Sequence, residues 1–139
     1  MGETVVVRQG KQRLTSYQAS ASEQAGAELR EVRHLHELTP YGMVLAGLGA
    51  CTALVANTYA EYHGLPVETV VITLEYRRSF TRDCEHCEET YAPEEQILMT
   101  IAVEGELSPR QKEKLLTIAL HCPVHQMLTG GVKVSAKPA

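Results

Sequence analysis

The fold of this chain is set by one uncharged stretch, residues 38–60, which reads LTPYGMVLAGLGACTALVANTYA. Thr39 and Pro40 are of the residue types that open a helix, as N-cap and first helical residue. Gly64 and Pro66 are of the types that end one. We predict a single long helix that is apolar on nearly every face and is therefore buried on nearly every face.

The same stretch is long enough to cross a bilayer, so its composition must decide between a membrane span and a core helix. It contains three Gly, three Thr and one Asn, and no cluster of Lys or Arg flanks it. No basic segment followed by an apolar one is visible at the start of the chain. We therefore predict a buried core helix in a cytoplasmic protein. Because a domain of this size rarely encloses such a helix alone, we also predict a homodimer.

Composition limits the class of protein and of partner. A length of 139 residues fits one domain, and we take residues 1–139 as that domain. The net charge of −4 argues against nucleic acid as the main partner, because phosphate binding needs a basic face. Four Cys in a reducing compartment are more often free, catalytic or metal-bound than paired in a structural disulfide framework.

The remaining segments alternate between strand and helix patterns. The predicted strands are 3–8, 12–20, 27–36, 68–80, 96–105 and 132–137, and a second helix is predicted at 108–121. The first two strands form a hairpin, and 68–80 pairs with 96–105. The spacing of 27–36 also suits a short helix. The pattern predicts an α+β fold with a largely antiparallel sheet, in the order β-β-β-α-β-β-α-β.

Two cysteines occupy special positions on the predicted helices. Cys51 lies in the middle of the central helix, either as a small packed apolar residue or as a thiol with space beside it. Cys122 precedes Pro123, where the second helix is interrupted and the N–H groups of a restarting helix can stabilise a thiolate. His121 and His125 flank it. The two cysteines form a candidate peroxidatic and resolving pair, although Cys122 can also be a residue that merely packs.

A second cysteine pattern, CEHC, lies in the polar segment after the fourth predicted strand. Cys84 and Cys87, with His86 or a distant histidine, can bind zinc. They can also form a redox pair that reduces another disulfide, or be incidental surface residues. The acidic neighbours disfavour a reactive thiolate and favour a bound cation. His34 and His36 alternate along the third predicted strand and share a face, either as a metal pair or as a solvated surface.

The sequences TPYGMVLAGLGACTA and HCPVHQML together resemble the two cysteine signatures of the OsmC/Ohr family of thiol peroxidases, and the likeness covers nearly the whole chain. The stretch DCEHCE is similar to one in an OsmC-like branch of that family. The resemblance implies an intertwined α+β homodimer whose sheets wrap around long central helices. It also implies that Cys51 attacks the O–O bond as a thiolate. Cys122 would then close a disulfide that an external dithiol reduces.

The resemblance further implies an Arg beside the peroxidatic cysteine and an orienting Glu in the first turn of the central helix. Tyr41 stands at the position of that Glu, so we expect weak activity or a different substrate. Arg30 and Arg33 precede the helix and are the candidates for the Arg, or else charged residues on a solvated strand face. Tyr41 can hydrogen-bond an Arg or a peroxide oxygen, or simply pack.

Two functions are compatible with these features. The first is reduction of organic hydroperoxides in oxidative stress defence, with a dithiol reductant, no required cofactor and no nucleic-acid or membrane partner. An apolar helix surround suits organic hydroperoxides better than hydrogen peroxide. The second is a non-catalytic dimeric protein that binds a ligand or senses redox state, which the missing Glu favours. A small zinc protein built on the CEHC segment is a third hypothesis.

Overall fold

The computed structural model of the chain describes residues 2–21, 28–79 and 94–139. Its strands and helices are β1 (Gly2–Gln9), β2 (Thr15–Ser20), β3 (Arg30–Val32), α1 (Pro40–Tyr62), β4 (Val67–Ser79), β5 (Glu94–Gly105), α2 (Pro109–Ala119) and α3 (Pro123–Gly130). Short 3₁₀ turns lie at Lys11–Arg13 and Leu35–Glu37. The predicted α+β class is confirmed.

One antiparallel sheet contains all five described strands, in the order β3-β2-β1-β4-β5. β1 is central, with Val7 opposite Tyr17 of β2 and Ile72 of β4. The predicted pairing of the first two strands is confirmed by β1 and β2, and that of 68–80 with 96–105 by β4 and β5. β-branched residues favour this pleated, half-buried surface.

The ends of α1 follow from its sequence. The Thr39 side chain accepts a hydrogen bond of 3.1 Å from the Gly42 N–H, which satisfies one of the free donors of the first turn. The helix ends at Tyr62, and Gly64 adopts a φ of 64°, a left-handed conformation that a residue with a Cβ rarely takes. The predicted long central helix is therefore confirmed.

One face of α1 packs tightly on the sheet. Leu45 and Ala53 are completely buried there, together with Val7 of β1 and Leu74 of β4. The close approach depends on Gly49, because a Cβ at this position would lie 2.7 Å from Val7 Cγ2 and 2.8 Å from Leu74 Cδ1. The small residue thus sets the distance between helix and sheet.

The opposite face of α1 is open in a single chain. Met43, Val44 and Leu54 are 38%, 43% and 46% exposed, and a Cβ on Gly47 would meet no atom within 4 Å. The sheet covers only one side of the helix, so the burial on nearly every face that we predict for a homodimer is not reached within one chain and stays a prediction. The helix has the length and hydropathy of a membrane span, yet 50% of its apolar window is buried in the protein, as in a core helix.

The C-terminal third differs from prediction in its last element. The second helix is confirmed as α2, capped by Ser108, whose hydroxyl accepts from the Gln111 N–H at 3.2 Å. The predicted strand at 132–137 is wrong, and Val132 and Val134 are 59% and 83% exposed. An alternating segment becomes a strand only where a sheet edge pairs with it, and no described strand of this chain does so.

The predicted strand at 27–36 is shortened to β3 by a local carboxylate. Glu37 accepts hydrogen bonds from the backbone N–H groups of Arg33 and His34, at 2.7 and 2.8 Å. The two bonds, His34 first, lower the pKa of Glu37 and hold a tight turn. The shared strand face predicted for His34 and His36 is therefore wrong. Their rings instead stack at the turn, with centroids 5.5 Å apart.

Candidate functional site

The structure brings together the two cysteines that the sequence analysis paired. Cys51 is half-buried in the middle of α1, and Cys122 is completely buried at the start of α3. Their thiols lie within hydrogen-bonding reach of each other, and both are free. Two residues that are 71 positions apart in sequence (122 − 51) therefore form one thiol pair.

Proline fixes the position of Cys122. Pro123 is the first residue of α3, and Cys122 is its N-cap with an extended backbone at φ −63° and ψ 137°. The Cys122 Sγ accepts a hydrogen bond of 3.5 Å from the His125 N–H, as a capping side chain does. The preceding helix buries Leu115 and Ala119 in the core, which holds this junction against α1.

The environment of Cys51 favours its neutral form. Burial raises the pKa of Cys51 and the neighbouring Cys122 thiol raises it further, whereas the Val124 N–H, in the first turn of α3, lowers it. No cationic side chain among the described residues contributes to this pKa. Within one chain, the thiol pair is therefore partly buried, and no cation from the described residues is placed to ionise it.

Arg30 and Arg33, the predicted cation candidates, lie in the segment before α1. Arg30 Nη2 donates to the carbonyl oxygen of Glu37 at 3.0 Å, and Arg33 forms an exposed ion pair with Glu31 at 3.5 Å. Both arginine side chains are exposed. Neither is among the groups that shift the pKa of Cys51 within this chain.

Tyr41 does meet an arginine, but a different one. Arg78 Nη1 donates to the Tyr41 hydroxyl at 3.2 Å. The Tyr41 ring stacks on Tyr76, with centroids 4.5 Å apart and an interplanar angle of 15°. The Tyr76 hydroxyl donates to Glu95 Oε1 at 2.7 Å, and burial, followed by this bond, raises the pKa of Tyr76 to about 12. We call these four residues the polar cluster.

A buried carboxylate also reaches the first turn of α1 from β1. Glu3 accepts a hydrogen bond from the Thr39 hydroxyl, and its carboxyl carbon would lie 3.0 Å from a Cβ on Gly42. Gly42 thus leaves the space that this carboxylate occupies, at the positive end of the helix. Although α1 has no carboxylate of its own in its first turn, another element provides one.

A mostly apolar cavity connects the polar cluster with the thiol region. Its volume is about 620 Å³, and its lining is Tyr41, Val44, Leu45, Leu48, Tyr76, Glu95, Gln96, Ile97, Met99, Leu120, His125, Leu128 and Thr129. Tyr41 and Glu95 mark one end. Leu48 lies one turn before Cys51, and His125 one turn after Cys122, which marks the other end. The cavity can hold an apolar molecule one helical turn away from each of the two cysteines, neither of which is itself a lining residue.

Three of the predicted metal ligands, Cys84, His86 and Cys87, lie outside the described residues. Within the described ranges, no three His, Cys, Asp or Glu side chains are placed to hold a metal ion. His34 and His36 therefore have no third partner of these types in that part of the chain.

Sequence reasoning did not assign site roles to Arg78, Tyr76, Glu95 or the carboxylate of Glu3. Strand alternation contains a signal for two of them, because Tyr76 continues the buried series that begins with Val70, and Arg78 follows on the same face of the strand. The position of Glu95 follows from pairing, since it lies directly opposite Arg78. No local sequence pattern places Glu3 beside the start of α1, because the contact joins residues 36 positions apart.

The chain matches one family of known proteins in sequence and several solved structures in fold. Residues 33–137 match the model of a family described as OsmC-like protein. The structure is similar to that of an OsmC-like hydroperoxide resistance protein from Jannaschia sp. CCS1, with a TM-score of 0.62, 10% identity, and coverage of 96% of this chain and 90% of that one. It is also similar to an organic hydroperoxide resistance protein OsmC from Legionella pneumophila, with a TM-score of 0.50, 18% identity and coverage of 91% and 89%. Among curated proteins, none matches this chain.

Proposed function

We propose, from the premise that this chain belongs to the OsmC-like family, that it reduces organic hydroperoxides in a peroxide-related stress function. The similarity to two hydroperoxide resistance proteins supports the general function. The observation that carries the finer proposal is the contact of Cys51 with Cys122 beside an apolar cavity. Such a cavity suits the organic part of a hydroperoxide better than it suits hydrogen peroxide.

The chemistry uses both thiols in turn. The Cys51 thiolate attacks the outer peroxide oxygen, the O–O bond breaks, and the products are a Cys51 sulfenic acid and an alcohol after one proton is added. The Cys122 thiolate then attacks the Cys51 sulfur, the S–O bond breaks, and the departing hydroxide takes up one proton to become water. An external dithiol reduces the resulting disulfide by thiol exchange, which closes the cycle.

A second copy of the chain is part of this proposal. The open face of α1 is apolar and carries Met43, Val44 and Leu54 in addition to the half-buried Cys51. Pairing two such faces would bury these side chains and complete the wall of the thiol site. Arg30 and Arg33 are exposed, so they remain candidates for a cation that a homodimer brings to Cys51.

The test is catalytic turnover of cumene hydroperoxide with dithiothreitol as reductant. We expect turnover by the wild-type protein, and none above the uncatalysed rate for Cys51→Ser, because a hydroxyl cannot form the sulfenic acid. In the absence of reductant, Cys122→Ser should still consume one equivalent of peroxide per chain and then accumulate oxidised Cys51. Equal rates for the wild type and Cys51→Ser would refute the proposal.

One observation favours a second candidate, a non-catalytic ligand-binding or redox-sensing protein. Burial and the Cys122 thiol raise the pKa of Cys51, which lowers its reactivity at neutral pH. The rate of Cys51 alkylation measured against pH in a Cys122→Ser variant separates the candidates. A depressed pKa in the assembled protein supports the enzyme, and an ordinary or raised pKa supports the binding protein.

Cellular location and metal content complete the proposal. We place the protein in the cytoplasm, because a cycle that ends in a disulfide needs a compartment that reduces it. Cys84, Cys87 and His86 remain a candidate zinc site, or a redox pair that acts on the disulfide. Metal analysis of the purified protein, before and after Cys84→Ser, distinguishes the two roles.

A further inference from the structure

We propose that the cavity binds an apolar molecule that ends in an uncharged hydroxyl group, in preference to one that ends in a carboxylate. This inference rests on the proposed function, because it names the class of organic hydroperoxide that the site would take. The two groups that carry it are the Tyr41 hydroxyl and the Glu95 carboxylate, whose residues both line one end of the cavity. Together they offer a ligand one hydrogen-bond donor and one acceptor.

Tyr41 supplies the donor, because its oxygen already serves as an acceptor. Arg78 Nη1 donates to that oxygen at 3.2 Å, and a guanidinium cannot accept a hydrogen bond in return. No group among the described residues accepts the Tyr41 O–H. Stacking on Tyr76, with ring centroids 4.5 Å apart, holds the ring in place. The phenol is therefore fixed, and its hydrogen can be given to a ligand.

Glu95 supplies the acceptor. Its Oε1 accepts from the Tyr76 hydroxyl at 2.7 Å, and the carboxylate has further lone pairs on both oxygens. Burial, followed by this bond, raises the pKa of Tyr76 to about 12, so Tyr76 keeps the proton with which it holds Glu95. No other carboxylate is among the described lining residues. Glu95 thus presents a fixed negative group to the cavity.

A hydroxyl group matches this pair, since it donates one hydrogen bond and can accept others. It could accept from Tyr41 and donate to Glu95 at the same time. A carboxylate only accepts, and it would enter a mostly apolar space in which Glu95 carries the same charge. Arg78 does not line the cavity, and its Nη1 is engaged by Tyr41, so it offsets only part of this repulsion.

The position of the pair along α1 suits a ligand whose two ends meet different groups. Tyr41 and Cys51 are 10 positions apart (51 − 41), which is about 15 Å along a helix. Leu45 and Leu48 line the cavity between them, and burial of methylene groups against such side chains stabilises an aliphatic chain. A peroxide group near the thiols and a hydroxyl near Tyr41 could thus belong to one extended molecule.

The experiment measures binding by isothermal titration calorimetry. It compares decanol with decanoate, which have the same chain length and differ in the end group. The variant is Glu95→Gln, which keeps an oxygen that can accept from Tyr76 but removes the charge. The matched control is Glu94→Gln, because Glu94 is exposed on the same strand, does not line the cavity, and changes the charge of the protein equally.

We expect the wild type to bind decanol about tenfold more tightly than decanoate, the size of one hydrogen bond to a charged group. Glu95→Gln should abolish this preference, because an amide can donate to decanoate. Glu94→Gln should retain it. Tyr41→Phe should weaken decanol binding about fivefold, as expected for one neutral hydrogen bond. Bound decanol should also compete with cumene hydroperoxide for reduction by the wild type.

Equal affinities in the wild type, tighter binding of decanoate, no binding of either ligand, or a preference that survives in Glu95→Gln overturns the proposal. Binding without competition overturns its link to the substrate. The titrations need no turnover, so their failure is distinct from failure of the proposed function. A protein that prefers decanol but does not reduce cumene hydroperoxide refutes the function alone. Turnover that depends on Cys51, without the preference, refutes this inference alone.

Discussion

The two faces of α1 are similar in composition but opposite in environment. On the sheet face, Leu45 and Ala53 are completely buried, and Gly49 allows the helix to approach β1 and β4. On the open face, Met43 and Leu54 remain 38% and 46% exposed. The sheet face needs only its own chain to be covered, whereas the open face needs another surface. Stability and assembly therefore depend on different sides of one helix.

Cys51 lies where these two environments meet. It is half-buried, in contact with Cys122, and close enough to the open face for a second copy to change its surroundings. The fold can thus place the two sulfurs together without also ionising them. We infer that the chain alone forms the thiol pair, and that the proposed homodimer makes it reactive.

The largest effect is expected from a charged side chain on the open face of α1. Leu54→Lys should raise the dissociation constant of the proposed homodimer at least about 100-fold, because each of two buried leucines contributes about 1.5–3 kcal/mol and each new charge must be desolvated. Light scattering after size-exclusion chromatography would measure the mass. Thr117→Lys, on the exposed side of α2, is the charge-matched control and should remain dimeric. Unchanged association of Leu54→Lys would show that this face is not the interface.

Two glycines, one on each face of α1, allow the stabilities of the two faces to be compared. Gly49→Ala places a Cβ within 2.8 Å of two side chains on the sheet, so we expect a loss of about 1–3 kcal/mol in the free energy of unfolding. Gly47→Ala meets no atom within 4 Å in its own chain and gains helix propensity of about 1 kcal/mol. Denaturant unfolding of both variants measures the difference. An equal loss in both would mean that the open face is as closely covered as the sheet face.

The smallest expected effect concerns Tyr76 in the polar cluster. The pKa of Tyr76 is raised to about 12 from an ordinary value of 10.0, so its neutral form is favoured in the folded protein. The resulting stability is present below pH 10 and is lost as the pH rises towards 12. Absorbance at alkaline pH should show one late tyrosine among the six, and Tyr76→Phe should remove it. If all tyrosines titrate together in the folded wild-type protein, Tyr76 is not buried and bonded to Glu95 in solution.

Elements that depend on neighbouring residues could be predicted from the sequence, whereas an element that depends on a distant pairing partner could not. The central helix was predictable because its cap at Thr39 and its end at Gly64 are local signals. The β1–β2 hairpin was predictable for a similar reason, since its two strands adjoin in sequence. The strand at 132–137 was not, because alternation alone does not show whether a sheet edge is available.

For the candidate site, the sequence by itself determined which thiols to consider. A cysteine in an uncharged helix and another before a helix-breaking proline are both visible in the order of residues. Tertiary structure decided their contact, the arginine that meets Tyr41, and the carboxylates of Glu3 and Glu95 near the start of α1. The physical reason is that helix caps and breaks depend on neighbouring residues, whereas these contacts depend on how sheet and helices pack across long separations in the chain.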